Sequence, residues 1–271
     1  MSWTAIAKKD VQDSVRAKTL WGVIAVFFVL IGGLTYLVVD AAGAQEDVLE
    51  ILAGFTFFLG IGLFVPIAGL LLSIKAIARE RDSGTINLLL SLPHSRGDMM
   101  VGKFLGRTAV MAIATIVGFV PALLIVLLEV DDSGGIGTIF VFLFVAVLIG
   151  MMFVAIGVGL SALVNSETQA TVGGITLFFV LYFWPFIVNR ILSLADAELP
   201  EFAERFWLFN MFLDMANALA PEGEGFGGAS NATSSIDPGI FMQNWFAFVI
   251  LALWVAVPLG IGYARFNNMD L

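Results

Sequence analysis

Six apolar runs, at about residues 20–39, 51–74, 108–128, 136–164, 172–188 and 241–264, constrain this chain more than any other feature. A helix needs about 20 consecutive apolar residues to cross a hydrocarbon layer about 30 Å thick. Inside a bilayer every backbone N–H and C=O must find its partner within its own segment, so isolated runs of this length fold as helices. Composition agrees: of 271 residues 59% are hydrophobic and only 13% charged, whereas a soluble domain carries about a quarter charged residues. The expected fold is therefore all-α, a polytopic membrane protein with six transmembrane helices in a single domain spanning 1–271.

Charge sets the expected orientation. With the N-terminus inside, eleven of the 13 Lys and Arg residues fall on the inner side, and only Arg190 and Arg205 fall outside. Basic residues accumulate in cytoplasmic loops, so both termini are expected in the cytoplasm and the chain in the cell membrane. Of the 22 acids, 15 fall outside. Such an acidic surface suits high ionic strength, where charges are screened, and a halophilic archaeal source is expected.

Several chemistries are excluded. Cysteine is absent and His94 is the only histidine, so thiolate sites, disulfides and a His-rich metal site are ruled out, and no metal or catalytic residue is assigned. No Gly-x-x-x-x-Gly-Lys-Ser/Thr occurs; Gly102-Lys103-Phe104 lacks the first glycine and the hydroxyl, so the chain has no P-loop of its own. The apolar runs hold essentially no ionisable groups, which ion-coupled carriers and intramembrane enzymes need at that depth. No nucleic acid is expected among the partners.

Two inner segments differ from the rest. Over residues 1–19, Trp3, Ile6, Ala7, Val11 and Val15 recur at helical spacing, which predicts an amphipathic helix at the interface leading into the first span. From residues alone it is a plain membrane anchor. Within the inner loop 75–107, Arg79, Glu80, Arg81 and Asp82 carry the second span out of the membrane, Gly84 permits a bend, and Ile86 to Leu92 form a short apolar helix ended by Pro93. Ser95 and Asp98 have the spacing of a capping box opening the third span. A short apolar helix flanked by charges either docks into another protein's groove or rests on the lipid surface.

The outer region 193–240 holds a second short helix around Phe206 to Met215, too polar for a span. A Gly- and Ser/Thr-rich stretch with the glycosylation pattern Asn231-Ala232-Thr233 follows. Pro66, Pro121, Pro185 and Pro258 interrupt four runs as hinges or static kinks. Ala155, Gly157, Gly159 and Ser161 permit close helix approach, within one bundle or between two bundles.

The run Glu80-Arg81-Asp82-Ser83-Gly84-Thr85-Ile86-Asn87-Leu88-Leu89-Leu90-Ser91-Leu92-Pro93, then Ser95-Arg96 and Gly102-Lys103-Phe104-Leu105-Gly106, resembles the signature of permease subunits of the ABC type 2 transporter family. Ala7-Lys8-Lys9-Asp10 with Val15-Arg16 is similar to that family's amphipathic lead-in, and Tyr263-Ala264-Arg265-Phe266 to its basic tail. Within the family the likeness is to the branch serving nitrous oxide reductase maturation and its uncharacterised relatives. The resemblance implies a non-enzymatic transporter subunit, an exporter paired with a second permease copy or paralogue. It also implies two separate ABC ATPase subunits, which hold ATP and magnesium while this chain holds no cofactor. It implies a coupling helix, with Glu80, Arg81, Gly84, Thr85, Leu88, Leu89, Pro93 and Arg96 at the ATPase interface. Asn165 and Glu167 on the second inner loop would add a smaller contact, unless they form an ordinary polar turn. Trp207, Phe209 and Phe212 would serve as an outer gate, unless their helix only contacts lipid. A mechanotransmitting subunit that acts on an outer-face partner is the alternative.

Overall fold

The computed structural model describes residues 3–42, 56–84, 95–129, 133–197, 199–219, 241 and 243–268. Among these residues all regular structure is helical: α1 (Trp3–Arg16), α2 (Lys18–Ala42), a π-helical stretch (Thr56–Phe64), α3 (Val65–Ser73), α4 (Ala78–Asp82), α5 (Arg96–Glu129), α6 (Ser133–Leu163), α7 (Glu167–Leu194), α8 (Glu201–Glu204), α9 (Leu208–Leu219) and α10 (Phe246–Asn267). Six stretches are long and apolar enough to cross a membrane: Lys18–Asp40, Leu59–Asp82, Arg96–Leu128, Ile139–Leu163, Glu167–Leu194 and Phe246–Asn267. The chain is a multi-pass, all-α membrane protein. The short inner helix expected over 86–92, with Thr85, Leu88, Leu89 and Pro93, lies outside the described residues, as does Asn231.

Helix α6 forms the axis of the bundle. Val145, Ala146, Ile149, Met152, Phe153 and Val158 on it are fully buried, and it touches α3, α5 and α10. Its small residues serve this packing. A Cβ on Gly262 of α10 would meet the Gly159 carbonyl at 2.7 Å, and Ser161 is buried against the second span. Of the two readings of this small-residue stripe, packing within one bundle is the one observed.

The second span is broken rather than continuous. Pro66 sits in the first turn of α3, directly after the π-helical turns. Proline has no N–H to donate into the preceding turn, and π-helical turns commonly occur at such irregularities. A second break separates α3 from α4, and there the backbone N–H groups of Ile77 and Ala78 both donate to Ser161 Oγ, at 3.0 and 2.9 Å. A serine on a neighbouring helix thus satisfies donors that the break would otherwise orphan inside an apolar layer.

Residues 3–42 run alongside α5. Ile6 faces Gly102, Asp10 faces Gly106, Phe27 faces Gly118 and Gly32 faces Pro121, so the two segments advance in the same direction. At 34 residues α5 is about 50 Å long, well beyond the apolar layer. Its charged first turns are where α1 docks. The apolar stripe expected on α1 is only partly used: Ile6 and Val11 pack against the core, while Trp3 and Val15 are exposed and free to meet lipid. The buried positions are the polar pair Asp10 and Ser14.

Helix α7 is the reverse of α6. It begins with a polar turn whose Ser166 side chain accepts the Gln169 N–H, which is why it extends beyond the apolar run 172–188. Val172, Ile175, Phe179, Phe183, Phe186 and Ile191 are exposed along one side.

Candidate functional site

The candidate site is the end of the bundle where the basic residues gather, around the two roots of segment 85–94. On the entering side, α4 terminates in Ser83, and Gly84 takes φ 70°, the left-handed conformation that favours glycine. On the leaving side, Ser95 and Asp98 form the expected capping box. The Asp98 N–H donates to Ser95 Oγ at 2.9 Å, and Asp98 Oδ2 accepts from the Ser95 N–H at 3.2 Å.

Arg81 and Arg96 reach from these roots into the bundle. Arg81 donates to the carbonyls of Val164 and Ala162, at the C-terminal end of α6. Arg96 donates to the carbonyls of Phe266 and Asn267, at 2.7 and 2.9 Å, at the C-terminal end of α10. The last carbonyls of a helix lack intrahelical partners and carry partial negative charge, so each guanidinium caps a different span. Both also lie 5.7 Å from the ring centre of the fully buried Phe266, a cation–π distance. Arg81 and Arg96 had been expected at a partner interface, but these guanidinium contacts are internal.

Glu80 joins a second network. Lys103 Nζ lies 2.5 Å from Glu80 Oε1 and 3.1 Å from Asp10 Oδ1, and Arg107 Nε lies 2.9 Å from Asp10 Oδ2. Arg107 also donates to the Leu72 carbonyl at 2.9 Å. Asp10 is 3% exposed and Lys103 11%, so these are buried ion pairs. Close approach of α1 makes them possible: a Cβ on Gly102 would meet Ile6 Cβ at 2.8 Å, and one on Gly106 would meet Asp10 Cβ at 3.0 Å. The Gly-Lys-x-x-Gly spacing therefore performs packing and charge pairing, not phosphate binding. Asp10 and Arg107 were missed by sequence reasoning. The signal was available in Asp10, an acid among the basic residues of the lead-in.

The turn between α6 and α7 closes on the same roots. Lys75 pairs with Glu167 at 2.5 Å, and the Glu167 N–H donates to Asp82 Oδ2 at 3.3 Å. The Asn165 N–H donates to Gln169 Oε1 at 3.1 Å, so Asn165 belongs to the polar turn that opens α7.

At the opposite end, α9 packs inward through Leu208, Met211, Phe212, Met215 and Ala216. The helix does more than contact lipid: its apolar residues fall on one stripe, and that stripe meets α6 and α10. The three gate candidates separate. Phe212 is buried in the core, Phe209 is exposed and Trp207 is half-buried. Phe209 and Phe212 border a cavity of about 190 Å³ shared with Gly62, Leu181, Tyr182 and Pro185. Of the polar interruptions, Asn210 donates to the Glu204 carbonyl at 3.0 Å, while Asp214 Oδ2 has no hydrogen bond and faces Arg205 at 3.6 Å. Burial raises the Asp214 carboxyl above its ordinary range, and Arg205 opposes that shift.

A broken second span, an amphipathic helix on the third and a basic end knit by arginines define a multi-helix membrane protein whose charged contacts gather at the two roots of segment 85–94. The model of the ABC-2 family transporter proteins matches residues 4–271, and the chain belongs to that family. It is 30% identical, over 99% of its length and 98% of the relative's, to a probable ABC transporter permease protein NosY of Pseudomonas aeruginosa. A protein of the same description from Stutzerimonas stutzeri is 29% identical, over 97% of each chain. The chain is thus an ABC-2 permease subunit of an ABC transporter, and its family implies an ABC ATPase partner.

Proposed function

We propose that this chain is the membrane half of an ATP-driven exporter. Segment 85–94 receives the stroke of a separate ATPase and passes it to the spans. In this reading the basic end faces the cytoplasm with both termini. Two ATPase copies, each holding ATP and magnesium, lie beneath two permeases, of which the second is an identical copy or a paralogue. Gly84, Thr85, Leu88, Leu89 and Pro93 form the part that meets the ATPase. Glu80, Arg81 and Arg96 deliver its motion inward, Glu167 braces the entering root and Asn165 shapes the turn beside it. Trp207, Phe209 and Phe212 act as the outer gate. The acidic outer side supports a high-salt source.

The observation that carries this reading is the pair of arginine caps. A displacement at segment 85–94 pulls on the ends of α6 and α10 through Arg81 and Arg96. The test is capture of the chain from its native membranes in mild detergent, with identification of what accompanies it. A stoichiometric P-loop ATPase that is lost in Leu88→Asp, while the mutant still inserts, is the expected result. Recovery of the chain alone, also after cross-linking, overturns the reading. The 15 acids assigned to the outer side favour a second reading, mechanical action on an outer-face partner. ATPase activity stimulated by a transported compound supports export over that alternative.

A further inference from the structure

Lys103 joins the N-terminal helix to α4, the helix that leads into the stroke-receiving segment. Lys103 Nζ sits between two carboxylates from separate elements, Asp10 of α1 and Glu80 of α4. Arg107 faces the other oxygen of Asp10, so two acids and two bases form a balanced cluster. Burying such a cluster adds little stability over an apolar contact of the same volume, and its best-attested use is to fix register. Charge-assisted hydrogen bonds are short and directional, so this contact resists sliding where a greasy one does not. On the other side α1 passes almost unbroken into α2. Ala17 and Leu20 keep backbone hydrogen bonds to Ser14 and Ala17, and the Trp21 indole donates to the Val15 carbonyl at 3.0 Å.

We propose that Lys103 is a positioning residue of the coupling machinery, holding α1 to the root of segment 85–94 so that the stroke moves the first span together with the fourth and sixth. The inference rests on the functional reading above and adds a third route into the membrane. A purely structural Lys103 would hold α1 in place but would not make α1 follow the nucleotide state.

The chain has no cysteine, so spin labels enter cleanly. One pair, Ser83→Cys with Val172→Cys, reports the entering root; a second, Lys9→Cys with Val172→Cys, reports α1. Distances are measured in the complex with the captured ATPase, without nucleotide and after vanadate trapping with ATP and magnesium. Both distances are expected to shift in the otherwise native chain. Lys103→Met and Glu80→Gln should abolish the α1 shift while the root shift persists, and Lys103→Arg should restore it. Glu80→Gln leaves the Asp10–Lys103–Arg107 contacts in place, so α1 stays docked even if Lys103→Met fails to fold. An α1 shift that survives Glu80→Gln overturns the proposal, as does a native chain whose root moves while α1 stands still. If the native chain captures no ATPase, the functional reading falls, and this inference falls with it.

Discussion

Two short amphipathic helices dock against the bundle at opposite ends, and they dock by opposite means. Helix α1 buries a polar face: Asp10 held by Lys103 and Arg107, with Ser14 one turn on. Helix α9 buries an apolar one, Leu208, Met211, Phe212 and Met215, with Asp214 beside a single cation 3.6 Å away. Apolar packing is non-directional and tolerates small shifts, whereas a charge cluster has one geometry that satisfies it. The difference separates a helix fixed in register, suited to following its neighbour, from one that can repack as its surroundings change.

The largest effect is expected where the cluster is broken. Lys103→Met removes the cation that Asp10 and Glu80 share, and breaking a buried ion pair costs about 3–5 kcal/mol. A matching fall in thermal stability in detergent, with new protease cleavage within α1, checks it. If stability is unchanged, α1 is not locked by charge and the contrast with α9 fails. Next is Ser161→Ala, which leaves the Ile77 and Ala78 N–H groups without their acceptor. An orphaned buried donor costs about 1–3 kcal/mol, visible as faster hydrogen exchange at the break between α3 and α4. On α9 a volume-conserving Met211→Leu should cost less than about 1.5 kcal/mol, while Asp10→Asn, also near-isosteric, should loosen α1 markedly. Equal tolerance at both sites would erase the distinction.

The smallest effect concerns Asp214. Its carboxyl is raised in the folded chain, so its stabilising contribution is full below the unfolded pKa, about 3.9, and is lost as pH rises through the higher folded value. The native chain should therefore lose a little stability on passing from acid toward neutral pH. Asp214→Asn should flatten that slope and keep an acceptor facing Arg205. A titration of thermal stability in both chains, with identical slopes, would remove Asp214 as the cause.

Much of the layout was legible because it is local. The six spans follow from apolar length, the Gly84 bend from the missing Cβ, and the start of α5 from Ser95 and Asp98, which are three residues apart. The site was legible in place but not in role. The sequence marks the surroundings of segment 85–94 as special, yet Arg81 acts on Val164 and Arg96 on Phe266 and Asn267, far along the chain. Lys103 was visible only as part of a Gly-Lys motif, since its partner Asp10 lies 93 residues away.

By itself, the sequence determined what a bilayer enforces: helices of spanning length, an all-α fold, and basic residues gathered at the polar ends of those helices. Desolvation makes these outcomes nearly obligatory, since an unpaired peptide group or an unpaired charge in hydrocarbon costs too much. Only the tertiary structure decided which helix became the buried axis and which lay open, α6 against α7. It alone decided that α1 docks through Asp10 and that one serine spans the break in the second helix. Those choices depend on which side chains meet across tens of residues, and spacing along one helix carries no record of its neighbour.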